Sequence, residues 1–195
     1  MKLNKRQVKI KTVVKNRQAG FIVVLEDIHD PHNAAAILRT CDGFGVQEVY
    51  FIFDQEKRYN PKRVGKSSSS SANKWLSFKI FDSTQDCLKV LKKSGYEIIA
   101  TAIHPKAKNL FKTKLLHKKI ALLVGNEHRG LSEYAIKSAD QIIALPMKGM
   151  VQSLNVSVTA GIYIYEISRQ RQKDLKKYQL KPKAAEKLAS DFGKR

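Results

Sequence analysis

The segment of sequence that decides the fold reads Leu145-Pro146-Met147-Lys148-Gly149-Met150-Val151-Gln152-Ser153-Leu154-Asn155-Val156-Ser157. The apolar residues 141–145 indicate a buried strand, and Pro146 ends it because proline has no backbone N–H to donate to a sheet. A glycine turn follows, and the apolar run from Ser153 to about Arg171 predicts a helix. A strand, turn and helix in this order leave backbone polar groups unpaired around a concave space. The segment is therefore either a site for a polar small molecule, with Ser153 and Asn155 facing it, or a plain connection in which Ser153 caps the helix.

The rest of the chain alternates between predicted strands and helices. The apolar run at 21–28 is typical of a strand that is buried on both faces of a parallel sheet. Asp30 and Pro31 then predict the start of a helix over 33–42, with an aspartate cap followed by proline at the first helical position. Further predicted elements are strands at 46–53, 76–81, 96–103 and 119–125 and helices at 84–93 and 132–138. This alternation predicts a single α/β domain built on a parallel sheet.

The composition is that of a globular protein with a strongly basic surface. The chain has 195 residues, of which 43% are hydrophobic, and a net charge of +20. No apolar run is long enough to cross a bilayer, so we expect no membrane-spanning segment, and a membrane is not the favoured partner. The charge favours a polyanion such as RNA or DNA, while an anionic membrane surface or a merely basic surface stay as alternatives. Cys41 and Cys87 lack metal-ligand spacing, so we expect no metal and a reduced, cytoplasmic location.

Both ends of the chain and one internal segment stand out by their basic residues. Residues 1–19 form a basic arm or short helix, residues 20–172 the α/β domain, and residues 173–195 a lysine-rich tail that Pro182 is expected to interrupt. Within the domain, residues 58–75 combine basic side chains with a run of serines. This segment is either a flexible loop or a phosphate-gripping loop, for which the candidate residues are Arg63, Lys66 and Lys74.

Three separated segments, residues 26–40, 122–132 and 145–157, together resemble the three motifs of the SpoU/TrmH family of RNA methyltransferases. They read EDIHDPHNAAAILRT, LLVGNEHRGLS and LPMKGMVQSLNVS. The resemblance extends over residues 21–171. It implies a SPOUT-class parallel-sheet α/β knot, with a C-terminal trefoil knot and short basic helical extensions at both ends. It also implies a homodimer that transfers a methyl group from S-adenosylmethionine to a ribose 2′-oxygen of RNA.

The same resemblance implies roles for individual residues. Arg39 matches the catalytic arginine, either as a general base or as a clamp that holds the phosphate and polarises the 2′-hydroxyl, since a free guanidinium keeps its proton at neutral pH. Asn33 and Asn155 would position Arg39 and the ribose. Glu127 would orient Arg39 or the amino group of the donor, and Ser153 would shape the loop. The implied donor site comprises Thr101, Gly125, Asn126, Leu145, Met147 and Leu154, and the implied RNA contacts are Arg169 and Arg171.

Gly125 has a physical reason in this scheme, because a side chain there would block the close approach of an adenosine. The Asp-Pro-His-Asn start of the first motif and the basic ends favour tRNA, with guanosine 18 of the D-loop as the expected target. The alternatives are an rRNA, another tRNA ribose, or an RNA-binding protein that keeps the fold without the reaction. A basic binder of DNA or membrane surfaces, with no donor pocket, is the remaining alternative.

Overall fold

The computed structural model describes residues 4–64 and 72–195, so Lys66 and the serine run lie outside the described residues. Within these two ranges the strands are β1 (Gln18–Glu26), β2 (Val46–Ile52), β3 (Ser77–Phe81), β4 (Glu97–Thr101), β5 (Lys108–Asn109), β6 (Ile120–Val124) and β7 (Gln141–Ala144). They form one sheet in the order β3-β2-β1-β6-β4-β7-β5, and every strand pair is parallel. The predicted parallel-sheet α/β architecture is confirmed. The two-residue strand β5 was not predicted, because two residues carry no periodicity.

Helices cover both faces and one end of the sheet. They are α1 (Lys5–Lys15), α2 (Pro31–Gly43), α3 (Thr84–Lys93), α4 (Glu133–Ser138), α5 (Val156–Arg171), α6 (Leu175–Tyr178) and α7 (Pro182–Lys194). The predicted start of α2 is confirmed, since the side chain of Asp30 accepts a hydrogen bond from His32 N at 2.8 Å and Pro31 is at the first position. The predicted start of α5 at Ser153 is wrong. Asn155 is the cap, and its Oδ1 accepts from Ser157 N at 2.8 Å.

Strand β1 is buried on both faces because each face is covered by a different pair of helices. Phe21, Val23 and Leu25 point into the cluster formed with α2 and α5. Ile22 and Val24 point into the cluster formed with α3 and α4. Successive side chains of a strand alternate between faces, so a continuous apolar run is what a central parallel strand requires.

The C-terminal segment forms a helix that packs against α1. Pro182 begins α7 instead of interrupting a helix, because proline at the first helical position lacks only an N–H that would be unpaired anyway. Phe192 of α7 is 1% exposed, and its ring centroid lies 5.2 Å from that of Trp75. The two ends of the chain therefore meet at the edge of the α/β domain, beside the basic segment.

Arg171, the last residue of α5, is enclosed by the main chain at the start of β1. Its residue exposure is 1%, and its guanidinium donates to Ala19 O, Gly20 O and His117 O at 3.1 to 3.3 Å. The guanidinium carbon lies 4.5 Å from the ring centroid of Tyr178. Burial lowers the pKa of Arg171 to about 10, which leaves the group charged at neutral pH. The predicted RNA contact of Arg171 is thereby corrected, because its donors face carbonyl oxygens within the fold instead of solvent.

We expect Arg171→Ala to lower the free energy of unfolding by about 2–4 kcal/mol, because it leaves buried carbonyl oxygens without donors. Arg169→Ala is the matched control, since the Arg169 side chain is 49% exposed and forms an exposed ion pair with its helix neighbour Glu166; it should leave stability nearly unchanged. Urea denaturation measures both. Equal effects of the two substitutions would contradict the enclosed role of Arg171.

Candidate active site

A cavity of about 350 Å³ lies at the carboxyl edge of the sheet, where the adjacent strands β6, β4 and β7 end. Ligands of open α/β sheets bind at this edge, because the loops that follow the strands diverge there. The predicted donor-site residues all line this cavity: Thr101, Gly125, Asn126, Leu145, Met147 and Leu154. Glu127 and Ser153 line it as well. Met150, which belongs to the same motif segment as Met147, is fully exposed and is not among the lining residues.

Gly125 is required by the fold of its own loop. A Cβ atom on Gly125 would lie 2.4 Å from the carbonyl carbon of Gly130 and 2.4 Å from Leu131 N. The loop folds back this tightly because Asn126 and Gly130 exchange two backbone hydrogen bonds, at 3.0 and 2.9 Å. A side chain at 125 would therefore meet the loop itself, which adds a reason to the one that the sequence suggested.

Asn126 holds the loop after β6 in place. Its side chain is buried, its Nδ2 donates to Asp27 O at 2.7 Å, and its Oδ1 accepts from His128 N and Arg129 N at 2.9 and 3.0 Å. These bonds engage both polar atoms of the amide. Asn126 therefore shapes the cavity wall, and its side-chain amide is already committed to the protein.

Glu127 joins the three motif segments. Its carboxylate accepts from His29 N at 2.8 Å, from Asp30 N at 3.1 Å and from Asn33 Nδ2 at 2.8 Å. Asn155 Nδ2 in turn donates to Asn33 Oδ1 at 3.0 Å. Burial alone would raise the pKa of Glu127, but the bonds from Asn33 and the backbone N–H groups outweigh it and the pKa is lowered. Glu127 is thus a carboxylate that orients the first turn of α2, while the predicted contact with Arg39 is absent from the bonds of the described residues.

A second carboxylate in this region, Glu56, was not predicted. It follows β2, and its side chain pairs with His29 Nδ1 at 2.9 Å and with Arg129 at 2.8 Å. The hydrogen bond that His29 donates to Glu56, followed by the charge of that carboxylate, raises the pKa of His29. Asp27, at φ 51°, fixes the Glu56 loop by accepting from Asp54 N, Gln55 N and Glu56 N. The signal available in the sequence was indirect: adjacent parallel strands β1 and β2 end at the same edge.

Arg39 lies outside the cavity of its own chain. It is exposed on α2, in a groove lined by His32, Ala36, Thr40, Gly43 and Phe44. Within residues 4–64 and 72–195, Arg39 forms no ion pair with a carboxylate. A single chain therefore brings the donor-site residues together without bringing Arg39 to them.

The other predicted RNA contacts among the described residues, Arg63, Lys74 and Arg169, are on the surface. Arg63 and Lys74 are exposed on either side of the segment that is not described. Arg169 is exposed on α5 and its guanidinium donates to both carboxylate oxygens of Glu166 at 2.7 and 2.8 Å. In the described part of the chain, no group of three His, Cys, Asp or Glu residues could hold a metal ion. No helix in that part is long and apolar enough to cross a membrane.

The protein has a parallel sheet with a cavity at its carboxyl edge, bordered by loops that pack tightly against each other. This is the architecture of α/β proteins that bind small molecules at the carboxyl ends of their strands. The family model of the SpoU rRNA Methylase family matches residues 20–165, and the chain belongs to this family. It is 36% identical over 192 residues to the tRNA (guanosine(18)-2'-O)-methyltransferase of Thermus thermophilus, covering 96% of this chain and 95% of that one. The enzyme of the same name from Escherichia coli is 36% identical over 167 residues, which are 86% of this chain and 71% of that one. The crystal structure of the A. aeolicus TrmH/SpoU tRNA modifying enzyme superposes with a TM-score of 0.87 at 31% identity, covering 97% of this chain and 95% of that one.

We expect Gly125→Ala to lower the free energy of unfolding by about 1–3 kcal/mol, because the added methyl group forces the 126–130 turn open. Gly149→Ala is the control, since a Cβ at Gly149 has no atom within 4 Å among the described residues; it should be close to neutral. Calorimetric melting of the two variants measures the difference. A Gly125→Ala variant as stable as Gly149→Ala would contradict the packing of this loop.

Proposed function

We propose that this protein transfers a methyl group from S-adenosylmethionine to the ribose 2′-oxygen of guanosine 18 in tRNA. The observation that carries the proposal is the chain of hydrogen bonds from Glu127 through Asn33 to Asn155, which joins the three motif segments at the mouth of the cavity. The names of the Thermus and Escherichia coli relatives support the substrate and the position.

The cavity has the mixed chemistry that a nucleoside-containing donor requires. Leu145, Met147 and Leu154 provide an apolar wall, and the segment Gly125–Gly130 provides main chain at close range. When bound, S-adenosylmethionine supplies an electrophilic sulfonium methyl group. The ribose oxygen forms a bond to that methyl carbon as the carbon–sulfur bond breaks, and the hydroxyl proton passes to a base. The protein contributes the alignment of the two reactants and the polarisation of the hydroxyl.

The position of Arg39 supports a homodimeric site. Val158 and Tyr165 are exposed apolar residues on one side of α5, and Leu154, just before the helix, is a third exposed apolar residue. The ring of Phe44, which lines the Arg39 groove, packs edge-on against Tyr165 with centroids 6.1 Å apart. A two-fold contact through this apolar stripe would cover it and would bring Arg39 of one protomer towards the cavity of its partner. There Arg39 clamps a phosphate and polarises the 2′-hydroxyl, a role that a permanently charged guanidinium performs well.

The proposal includes the trefoil knot and the cytoplasmic location. The last strand in sequence, β7, lies between β4 and β5. The chain therefore inserts β7 between two strands that come earlier in the sequence. This order supports a knot formed by the C-terminal part of the domain.

Cys41 and Cys87 are both buried free thiols, which supports a reducing compartment. The basic helices α1 and α7, which pack together, are proposed as RNA-contacting extensions of the domain.

The direct test is methyl transfer from labelled S-adenosylmethionine to an unmodified tRNA transcript, with the modified nucleotide mapped afterwards. We expect one 2′-O-methylguanosine per tRNA, at position 18. A transcript with 2′-deoxyguanosine at 18 is the control and should accept no label. Labelling of rRNA alone would change the substrate, and donor binding without transfer to any RNA would favour a binding protein that keeps the fold.

Complementation tests the shared site. Arg39→Ala should abolish turnover while leaving donor affinity nearly unchanged, and Met147→Arg should block the cavity by placing a cation where the sulfonium must bind. Co-expressed, the two inactive variants should regain about a quarter of wild-type activity, because half of the dimers are mixed and each mixed dimer has one intact site. If the mixture stays inactive although mixed dimers are isolated, Arg39 acts within its own chain.

A further inference from the structure

The segment 104–119, which we call the lysine segment, is a concentrated basic surface outside the three motifs. It contains no aspartate or glutamate, and its six lysines are all exposed: Lys106, Lys108, Lys112, Lys114, Lys118 and Lys119. It begins directly after Ile103, a residue of the cavity lining that follows β4, and it returns to β6 along the C-terminal half of α5. The lysine segment therefore connects the rim of the cavity to the neighbourhood of Arg169.

The charges of these lysines are not balanced by ion pairs within residues 4–64 and 72–195. Among the described residues, no carboxylate forms an ion pair with Lys106, Lys112 or Lys114. By contrast, Lys137 pairs with Glu133 at 2.8 Å. Like charges in so short a segment repel one another, and a polyanion relieves that repulsion on binding.

The backbone that carries the lysines is held firmly. Leu110 and Leu115 are buried in the core between α2, α5 and the sheet, at 0% and 1% exposure. Asn109 Oδ1 accepts from Phe111 N at 2.8 Å and caps the turn Leu110–Lys112. Gln170 of α5 bonds Leu115 N at 2.7 Å and Thr113 O at 2.9 Å. Because the turn is already ordered, a ligand would bind it without the entropy cost of ordering a loop.

Phe111 is the unusual residue of this turn. It is 65% exposed, although Leu110 and Leu115 close by in the sequence are in the core. Lys112 and Lys114 follow it. An exposed aromatic ring among unpaired lysines is the combination by which proteins bind unpaired nucleotides: the ring stacks on a base and the cations contact phosphates. An aromatic ring placed only to fill the core would point the other way.

We propose that the lysine segment is a further RNA-binding surface, in which Lys112 and Lys114 contact phosphates and Phe111 stacks on an unpaired base. The proposal rests on the proposed function and deepens it, because it adds to the enzyme a substrate contact that none of the motif residues provides. The occupant is the tRNA substrate itself, in a part that reaches from the cavity towards the C-terminal end of α5.

The test compares two double variants of equal charge. Lys112→Gln with Lys114→Gln removes two unpaired lysines of the segment. Lys79→Gln with Lys137→Gln removes two exposed lysines that already have partners, since Lys79 Nζ lies 5.0 Å from the Tyr50 ring centroid and Lys137 pairs with Glu133. We expect the first variant to bind unmodified tRNA about 10- to 30-fold more weakly at about 150 mM salt, with the slope of log affinity against log salt reduced by about 1.4 to 1.8. The control should lose little affinity, and kcat at saturating tRNA should be unchanged in both.

Phe111 gives an independent readout. Phe111→Ala should weaken tRNA binding by about 5- to 100-fold without flattening the salt dependence, and Phe111→Tyr should restore it, since the ring is what stacks. Size-exclusion chromatography with light scattering accompanies both variants. A change in oligomeric state on Phe111→Ala would overturn the proposal and assign the ring to an interface between copies of the chain.

The outcomes separate this inference from the proposed function. If the wild-type protein methylates tRNA and the Lys112/Lys114 variant binds tRNA like its control, the lysine segment is not an RNA contact and the enzyme function stands. If the wild-type protein binds tRNA with the expected dependence on Lys112, Lys114 and Phe111 but transfers no methyl group, the surface stands and the function falls.

Discussion

The carboxylate of Glu127 holds the motif segments in their mutual arrangement. It stands at the end of β6 and receives three hydrogen bonds from the start of α2, two from the backbone and one from Asn33. Bonds to an ionised acceptor are stronger than neutral ones, particularly where the group is partly shielded from water. Asn33 then passes the constraint to Asn155, the cap of α5. One acceptor thus fixes the relative positions of the helix that carries Arg39 and the helix that borders the cavity.

Hydrogen bonds and opposite charges around this centre shift the pKa values of its titratable groups. The pKa values of Glu127 and Glu56 are lowered and that of His29 is raised. A carboxyl group whose pKa is lowered by folding stabilises the fold at pH values above its ordinary pKa. This stabilisation is lost as the pH falls through the folded pKa. A histidine whose pKa is raised by folding stabilises the fold at pH values below its ordinary pKa. This stabilisation is lost as the pH rises through the folded pKa. The loops after β1, β2 and β6 are therefore best held together between these two limits.

The charges around the cavity differ from those on the segment 104–119 and on the terminal helices. Around the cavity, carboxylates are paired with backbone N–H groups, His29 and Arg129, so that the site is polar without a large excess of one sign. The lysines that form no ion pair among the described residues include those of the segment 104–119 and of the terminal helices, where their charge can attract a polyanion from a distance. In the function that we propose, the small molecule and the RNA bind to adjacent but different surfaces.

Short-range signals in the amino-acid sequence are sufficient for one part of this protein. A continuous apolar run specifies β1 as a central parallel strand, and Asp30 with Pro31 specifies the start of α2, because periodicity and caps act within a few residues. The family resemblance also pointed to six residues that line the cavity, from Thr101 to Leu154. They meet there because they end or follow parallel strands whose carboxyl ends lie at one edge of the sheet. Three features became evident only in the folded molecule. They are the burial of Arg171, the pairing of Glu56 with His29, and the position of Arg39 outside the cavity of its own chain. Each of these depends on partners far away in the sequence or on a neighbouring surface, and no local pattern encodes which of many exposed or buried partners a long side chain will meet.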